Sequence, residues 1–271
     1  MGNEQTALTT EVKPDTRLMG VSAVSSELYV PGMENLTRDD VSLPRLVLVQ
    51  LTSRNLPDYS TAHIGEWYNT VTGEYHAQVF GVLLGIAKQR AAFPREFSAD
   101  SKALCASDEA LYPRSEFVGK DVHDGKTGVT HVIDGSCADC PFSKFTNDAT
   151  PLCTFSYSYG FYDVASGLPF VMRAQRTGIK AAKQLNMQIM KYGRGNVIML
   201  SASKVTDDNG KYAVPVFSAG DKLTGDLAHG AAEFVRSFGN IAERVTADEP
   251  DVPSVDGDND GSAPMPEEPG F

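Results

Sequence analysis

Long apolar runs are missing from this chain of 271 residues. Nothing approaches the roughly 18 consecutive apolar residues of a membrane helix, so no membrane span is expected. The opening segment MGNEQTALTTEVKPDTR has no apolar core of the kind a secretory signal needs, which points to the cytoplasm. Motifs for phosphate and acyl chemistry are missing too: no P-loop, no G-x-S-x-G, no H-E-x-x-H, and no G-x-G-x-x-G opening a helix after a strand. Tyr192-Gly193-Arg194-Gly195 lacks the lysine–hydroxyl pair of a Walker loop. A zinc deaminase needs H-x-E with P-C-x-x-C, but Ser136 precedes Cys137, and neither His123 nor His131 is followed by x-Glu. The expectation is a binding protein, not an enzyme.

Charge of one sign is missing from two segments, and there the chain becomes informative. From Thr246 to Phe271 there is no lysine or arginine, and eight of the chain's 35 acids lie there. The remaining 27 acids face 24 bases, so the net charge of -11 describes mainly this tail. Proline, glycine and acid dominate it, and such a segment cannot bury enough apolar surface to fold. From Val164 to Thr206 the reverse holds. There is no acid, while Arg173, Arg176, Lys180, Lys183, Lys191, Arg194 and Lys204 supply seven positive charges. Cations so placed can neutralise phosphates and release counterions. A merely solvated helix face is the plainer alternative for Lys180 and Lys183.

Just before this stretch, Phe155, Tyr157, Tyr159 and Phe161 alternate, so in a strand all four share one face. Rings beside cations suit a binder of single strands, because bases stack on rings at roughly 1–3 kcal/mol each. Tyr157 and Tyr159 are the stacking candidates, since tyrosine suits a dry core poorly unless its hydroxyl finds a partner. Trp67, the single tryptophan, and Tyr68 are further candidates. Core packing is the competing reading for each ring.

Cysteine is scarce, and its four copies are spaced C-x31-C-x2-C-x12-C as Cys105, Cys137, Cys140 and Cys153. Two sulfurs two residues apart can bind one ion from a single tight turn, and structural zinc takes four ligands. Disulfides are disfavoured without a secretory signal. A redox pair would open a helix, which Pro141-Phe142-Ser143 does only weakly. The expectation is a structural Zn²⁺ that organises a loop-rich insertion, with His123 or His131 as substitutes for Cys105.

Hydrophobic patterning predicts strands over 43–51, 79–87, 155–162, 168–174, 196–204 and 212–217, with a turn at Thr72-Gly73. It predicts helices over about 177–192 and 227–244, the first ended by Gly193. The fold class expected is mainly β with a few helices (α+β), an OB-like closed barrel. Residues 1–40 read as a flexible arm with a short ordered segment at 28–30, and 41–245 as the binding domain. A zinc-binding insertion occupies about 100–154, and 246–271 form a disordered acidic tail.

The acidic tail ending in Phe271 resembles those of bacterial and tailed-phage single-stranded DNA-binding proteins. The Cys137-Ala138-Asp139-Cys140 knuckle is similar to that of zinc-containing phage members of the group. The tail departs in one respect, since Pro269-Gly270 separates Glu267 and Glu268 from Phe271. The resemblance implies an OB-fold core and binding to single-stranded DNA without sequence preference. It also implies that Glu267, Glu268 and Phe271 recruit replication or recombination proteins. The alternative function is a zinc-containing protein–protein adaptor that does not touch DNA.

Overall fold

The computed structural model describes residues 43–53, 56–95, 101–146, 149–207, 210–244 and 247. The predicted arm, its segment at 28–30, and the predicted tail except Ala247, with Glu267, Glu268 and Phe271, lie outside these residues.

Among the described residues the protein is mainly β, with two α-helices and a curled sheet of nine strands. The central run is β4 (Val79–Ala92), β8 (Cys153–Asp163) and β9 (Pro169–Gln175), each antiparallel to the next. Helix α1 (Gly178–Tyr192) leaves β9, and β10 (Asn196–Asp207) and β11 (Gly210–Lys222) follow as a long hairpin. β10 returns to the free side of β4. On the other side of β9 lies β1 (Arg45–Leu48), parallel to it, followed by β2 (Trp67–Asn69) and β3 (Tyr75–His76). Thus β4, β9, β11 and β1 run one way, and β8, β10 and β2 the other.

One side chain links the β1 side of the sheet to its edge strand β11. Gln50, just past β1, donates from Nε2 to the Ala213 carbonyl at 2.9 Å and accepts the Ala213 N–H at 2.9 Å. An amide used this way stands in for a strand rung and satisfies an edge of β11 that no strand among the described residues covers.

The interior of the curl holds the main core: Leu46, Trp67, Tyr159, Phe161, Met172, Leu200 and Phe217. α1 closes it, burying Ala181, Ala182 and Leu185 and leaving Lys180, Lys183, Met187 and Met190 exposed. Gly193 ends the helix at φ 81, as its sequence position predicts. A second cluster on the outer face, with Leu84, Tyr162, Val171, Ala231 and Ile241, is covered by α2 (Gly225–Phe238).

α2 is shorter than the periodicity predicts. Gly239 adopts φ 69 and stops it, and Asn240 caps a separate 3-10 turn over Ile241–Glu243. That turn sits against the sheet because Gly85 and Gly160, register partners on β4 and β8, leave room for it. A Cβ on Gly85 would meet Asn240 Oδ1 at 1.8 Å, and one on Gly160 would meet Ile241 at 2.3 Å.

The segment between β4 and β8 is less bare than its composition suggests. It holds β5 (Cys105–Ser107), which pairs with β4, and a hairpin of β6 (Asp121–Asp124) and β7 (Val129–Val132). Ala92, Ala106, Phe117, Val122, Ile133, Phe142 and Leu152 form a small core there, and Ala247 joins it. Asp124 is the polar anchor. It is buried, takes a two-pronged bond from Arg95 at 2.6 Å, and accepts from Thr127. The Arg95 guanidinium holds its carboxyl well below the usual carboxylate range.

Candidate nucleic-acid interface

Strand β8 is covered on both faces over its second half. Tyr159 and Phe161 point into the main core, while Ser158, Gly160 and Tyr162 lie beneath the outer layer. Tyr159 is fully buried, and its hydroxyl bonds to the Ala182 carbonyl (3.1 Å) and to Asn186 Oδ1 (2.9 Å) on α1. Burial raises its pKa. The expectation of a stacking ring at Tyr159 is therefore corrected. The hydroxyl finds the partner that tyrosine needs in a core, and the ring has no free face. Trp67 is likewise buried, at 1% exposure, and Tyr68 lies in a small cluster with Val49 and Leu56. Neither presents a ring to solvent.

Tyr157 differs. It is half-buried at the edge of the core, 4.9 Å from Phe155 and edge-on to it. The register places Lys88 of β4 opposite Tyr157, and Arg90 opposite Phe155. Cross-strand partners project to the same face, so two rings and two cations share one surface. Arg90 lies over the Phe155 ring, 5.3 Å from its centroid. Lys88 is exposed. Neither cation lies in the acid-free stretch, so charge counting along the chain passes over them. The signal that could have found them is the alternation of Lys88 and Arg90 on a strand paired with the FSYSY strand.

α1 flanks this surface. Asn186 reaches Tyr159, and around the helix from Asn186 come Met190 and then Lys183, with Met187, Lys180 and Lys191 beyond them. Lys191 covers its neighbour Tyr192, with Nζ 4.8 Å from the ring. Lys180 and Lys183 thus share one exposed helix face, as their spacing predicts, and Lys191 joins them. The other predicted cations separate from them. Arg173 and Arg176 lie where β9 turns into α1, and Arg194 follows the opposite end of the helix. Lys204 sits on β10 with its stem over Gly65. The acid-free stretch is therefore four groups of cations, not one stripe.

Farther along the same surface lie the cysteines. Cys105 and Cys153 are both register partners of Ala92, one from each side of β4. Their side chains share the face that carries Arg90 and Phe155. Cys140 packs with them in the insertion core, and Cys137 is buried nearby. All four are free thiols. Burial together with the neighbouring thiols raises Cys105 to about 11 and Cys153 to about 12. Among the described residues no three ligands stand at metal-binding distance as placed. His131 instead packs edge-on against Phe142, and His123 bonds Thr130.

Among the described residues no helix is long and apolar enough to cross a membrane. Compared with models of known families, with curated proteins and with solved structures, the chain matches none of them.

Proposed function

We propose that the protein binds single-stranded DNA without sequence preference, in the cytoplasm and during replication or recombination, and performs no chemistry on it. One observation carries this reading: the β4–β8 register sets Lys88 beside Tyr157 and Arg90 beside Phe155 on a face flanked by the lysine face of α1. Half-exposed rings give bases a stacking platform, and the surrounding cations track a backbone. The topology supports an OB-type barrel. Strands β4, β8, β9, β10 and β11 carry the order and directions of that five-stranded plan, with the helix between the third and fourth strands. β1 is an additional stave, placed between the parallel third and fifth strands.

A structural Zn²⁺ on Cys105, Cys137, Cys140 and Cys153 belongs to the same reading. Ala92, between Cys105 and Cys153, carries a side chain small enough to leave room above the strand, and the two remaining thiols come from the neighbouring knuckle. Such an ion would fasten β5 and the insertion to the end of β4. Tail residues Glu267, Glu268 and Phe271 are proposed to recruit partner proteins.

The test is a titration of labelled oligo-dT at low and high salt with wild type and Tyr157→Ala. Affinity should fall steeply with salt, and losing the ring should weaken binding by roughly 1–3 kcal/mol. Wild type that ignores the oligonucleotide at low salt overturns the reading in favour of the adaptor. Incubation with Mg²⁺ and labelled strands should leave them intact.

A further inference from the structure

Arg90 stands between two groups that the fold brings to one face of the sheet. Side chains alternate along β4, so Lys88, Arg90 and Ala92 share that face. Tyr157 lies opposite Lys88, Phe155 and Ser107 flank Arg90, and Cys153 and Cys105 flank Ala92. Arg90 therefore shares a rung with a ring of the proposed stacking surface, and the next rung on its face carries two of the thiols.

The contacts of Arg90 run both ways. Its guanidinium lies over the Phe155 ring, 5.3 Å from the centroid. The same charge faces the thiols of Cys153 and Cys140 and favours the thiolate at each, against the burial that favours the neutral form. A second feature marks this rung. Arg90 Nε and Ser107 Oγ are shut off from solvent, and among the described residues neither has a hydrogen-bond partner. Buried donors are seldom left so. Neutral thiols are weak acceptors, whereas thiolates take charge-assisted bonds. Metal binding converts one into the other, because a cysteine loses its proton to become a ligand. Four thiolates around a divalent ion leave a net negative charge, and Arg90 brings a positive one to it.

We infer that Arg90 couples the cysteine cluster to the nucleic-acid surface: bonded to metal-bearing thiolates, its guanidinium is held over Phe155 as part of the platform that meets the bases. This rests on the zinc and DNA readings proposed above, and adds that the two form one device. A guanidinium held at the sulfurs and at the ring needs no further ordering when a strand arrives. A released one must be immobilised as the strand binds, which weakens binding. Arg90 is thus a positioning residue, and metal occupancy of the cysteines sets the affinity for single strands.

The full-length protein is loaded with Zn²⁺, and a chromophoric chelator competes for the ion. Arg90→Gln should yield its zinc at least about tenfold more readily than wild type, as when a partner of a metal ligand is removed. Arg90→Lys should lie between them, since it keeps the charge and loses the planar fork. Phe155→Ala should hold zinc as wild type does. With Co²⁺ in place of Zn²⁺, the sulfur-to-metal absorption of Arg90→Gln should move to lower energy, a change that lowered stability alone does not produce. Oligo-dT titration completes the comparison. Stripping the metal should weaken wild type by roughly three- to tenfold, the ordering of one long side chain, and Arg90→Gln by much less. The coupling is overturned if Arg90→Gln holds zinc as tightly as wild type. It is also overturned if stripping weakens both proteins equally, since the insertion then acts without Arg90. The parent readings fail differently: wild type takes up no metal, or does not bind oligo-dT, and either result removes the coupling with them.

Discussion

Gly85 and Gly160 face each other across β4 and β8, and the 3-10 turn at Ile241–Glu243 rests on the flat patch they make. Asn240 fixes that turn, donating to the Ile86 carbonyl at 3.1 Å and to Glu243 at 2.7 Å. A methyl group at either glycine has nowhere to go, so Gly160→Ala should displace the turn and cost about 1–3 kcal/mol, read as a lowered melting temperature. Asp124 gives a prediction of opposite chemical character. Its carboxyl is held low by Arg95, so its contribution is present above the unfolded value of about 4 and is lost as the pH falls below it. Asp124→Asn should remove about 2 kcal/mol at neutral pH and flatten the acid limb of the stability curve. Urea titrations between neutral and acid pH measure both.

At the scale of elements, α1 carries the sharpest expectation. Neutralising Lys180, Lys183 and Lys191 to glutamine should lower the salt slope of oligo-dT binding by about 2, at roughly 0.7 for each single-strand phosphate that no longer meets a lysine. An unchanged slope would place the strand elsewhere on the surface. This helix was legible in the sequence because its period, its glycine stop and its lysine spacing all agree. The long strands were legible only in part. β4, β10 and β11 extend beyond the predicted runs, since backbone pairing continues where side chains such as Lys88 and Thr206 are already polar. The rings misled for a related reason. Alternation correctly puts Tyr157 and Tyr159 on one face, but that face passes from core to open surface between them, and only the placement of α1 shows where. Gln50 gave no local signal, because its role depends on a partner 163 residues away.

Across the whole molecule, charge is divided between body and tail. Ala247 is buried in the insertion core and its N–H reaches Asp108 at 3.3 Å, so the acidic segment departs beside the cysteines. A chain ended after Ala247 keeps that hydrogen bond and sheds the eight acids beyond it. It should bind oligo-dT more tightly at low salt, with the difference vanishing at high salt as screening shortens the reach of the tail. Unchanged low-salt binding would show that the tail does not contest the DNA surface. Cys137→Ser with Cys140→Ser should abolish bound zinc by elemental analysis and lower the melting temperature.

The place of β1 in the sheet has a kinetic consequence. It is the first of the described strands to emerge during synthesis, yet its neighbour β9 and the backbone that Gln50 grips are made far later. Until Ala213 has left the ribosome, this early apolar strand has no complete seat in the wall. The contact of Gln50 with Ala213 can therefore form only late in synthesis, and Gln50→Ala should slow refolding if the clasp forms in the transition state, or speed unfolding if it forms afterwards.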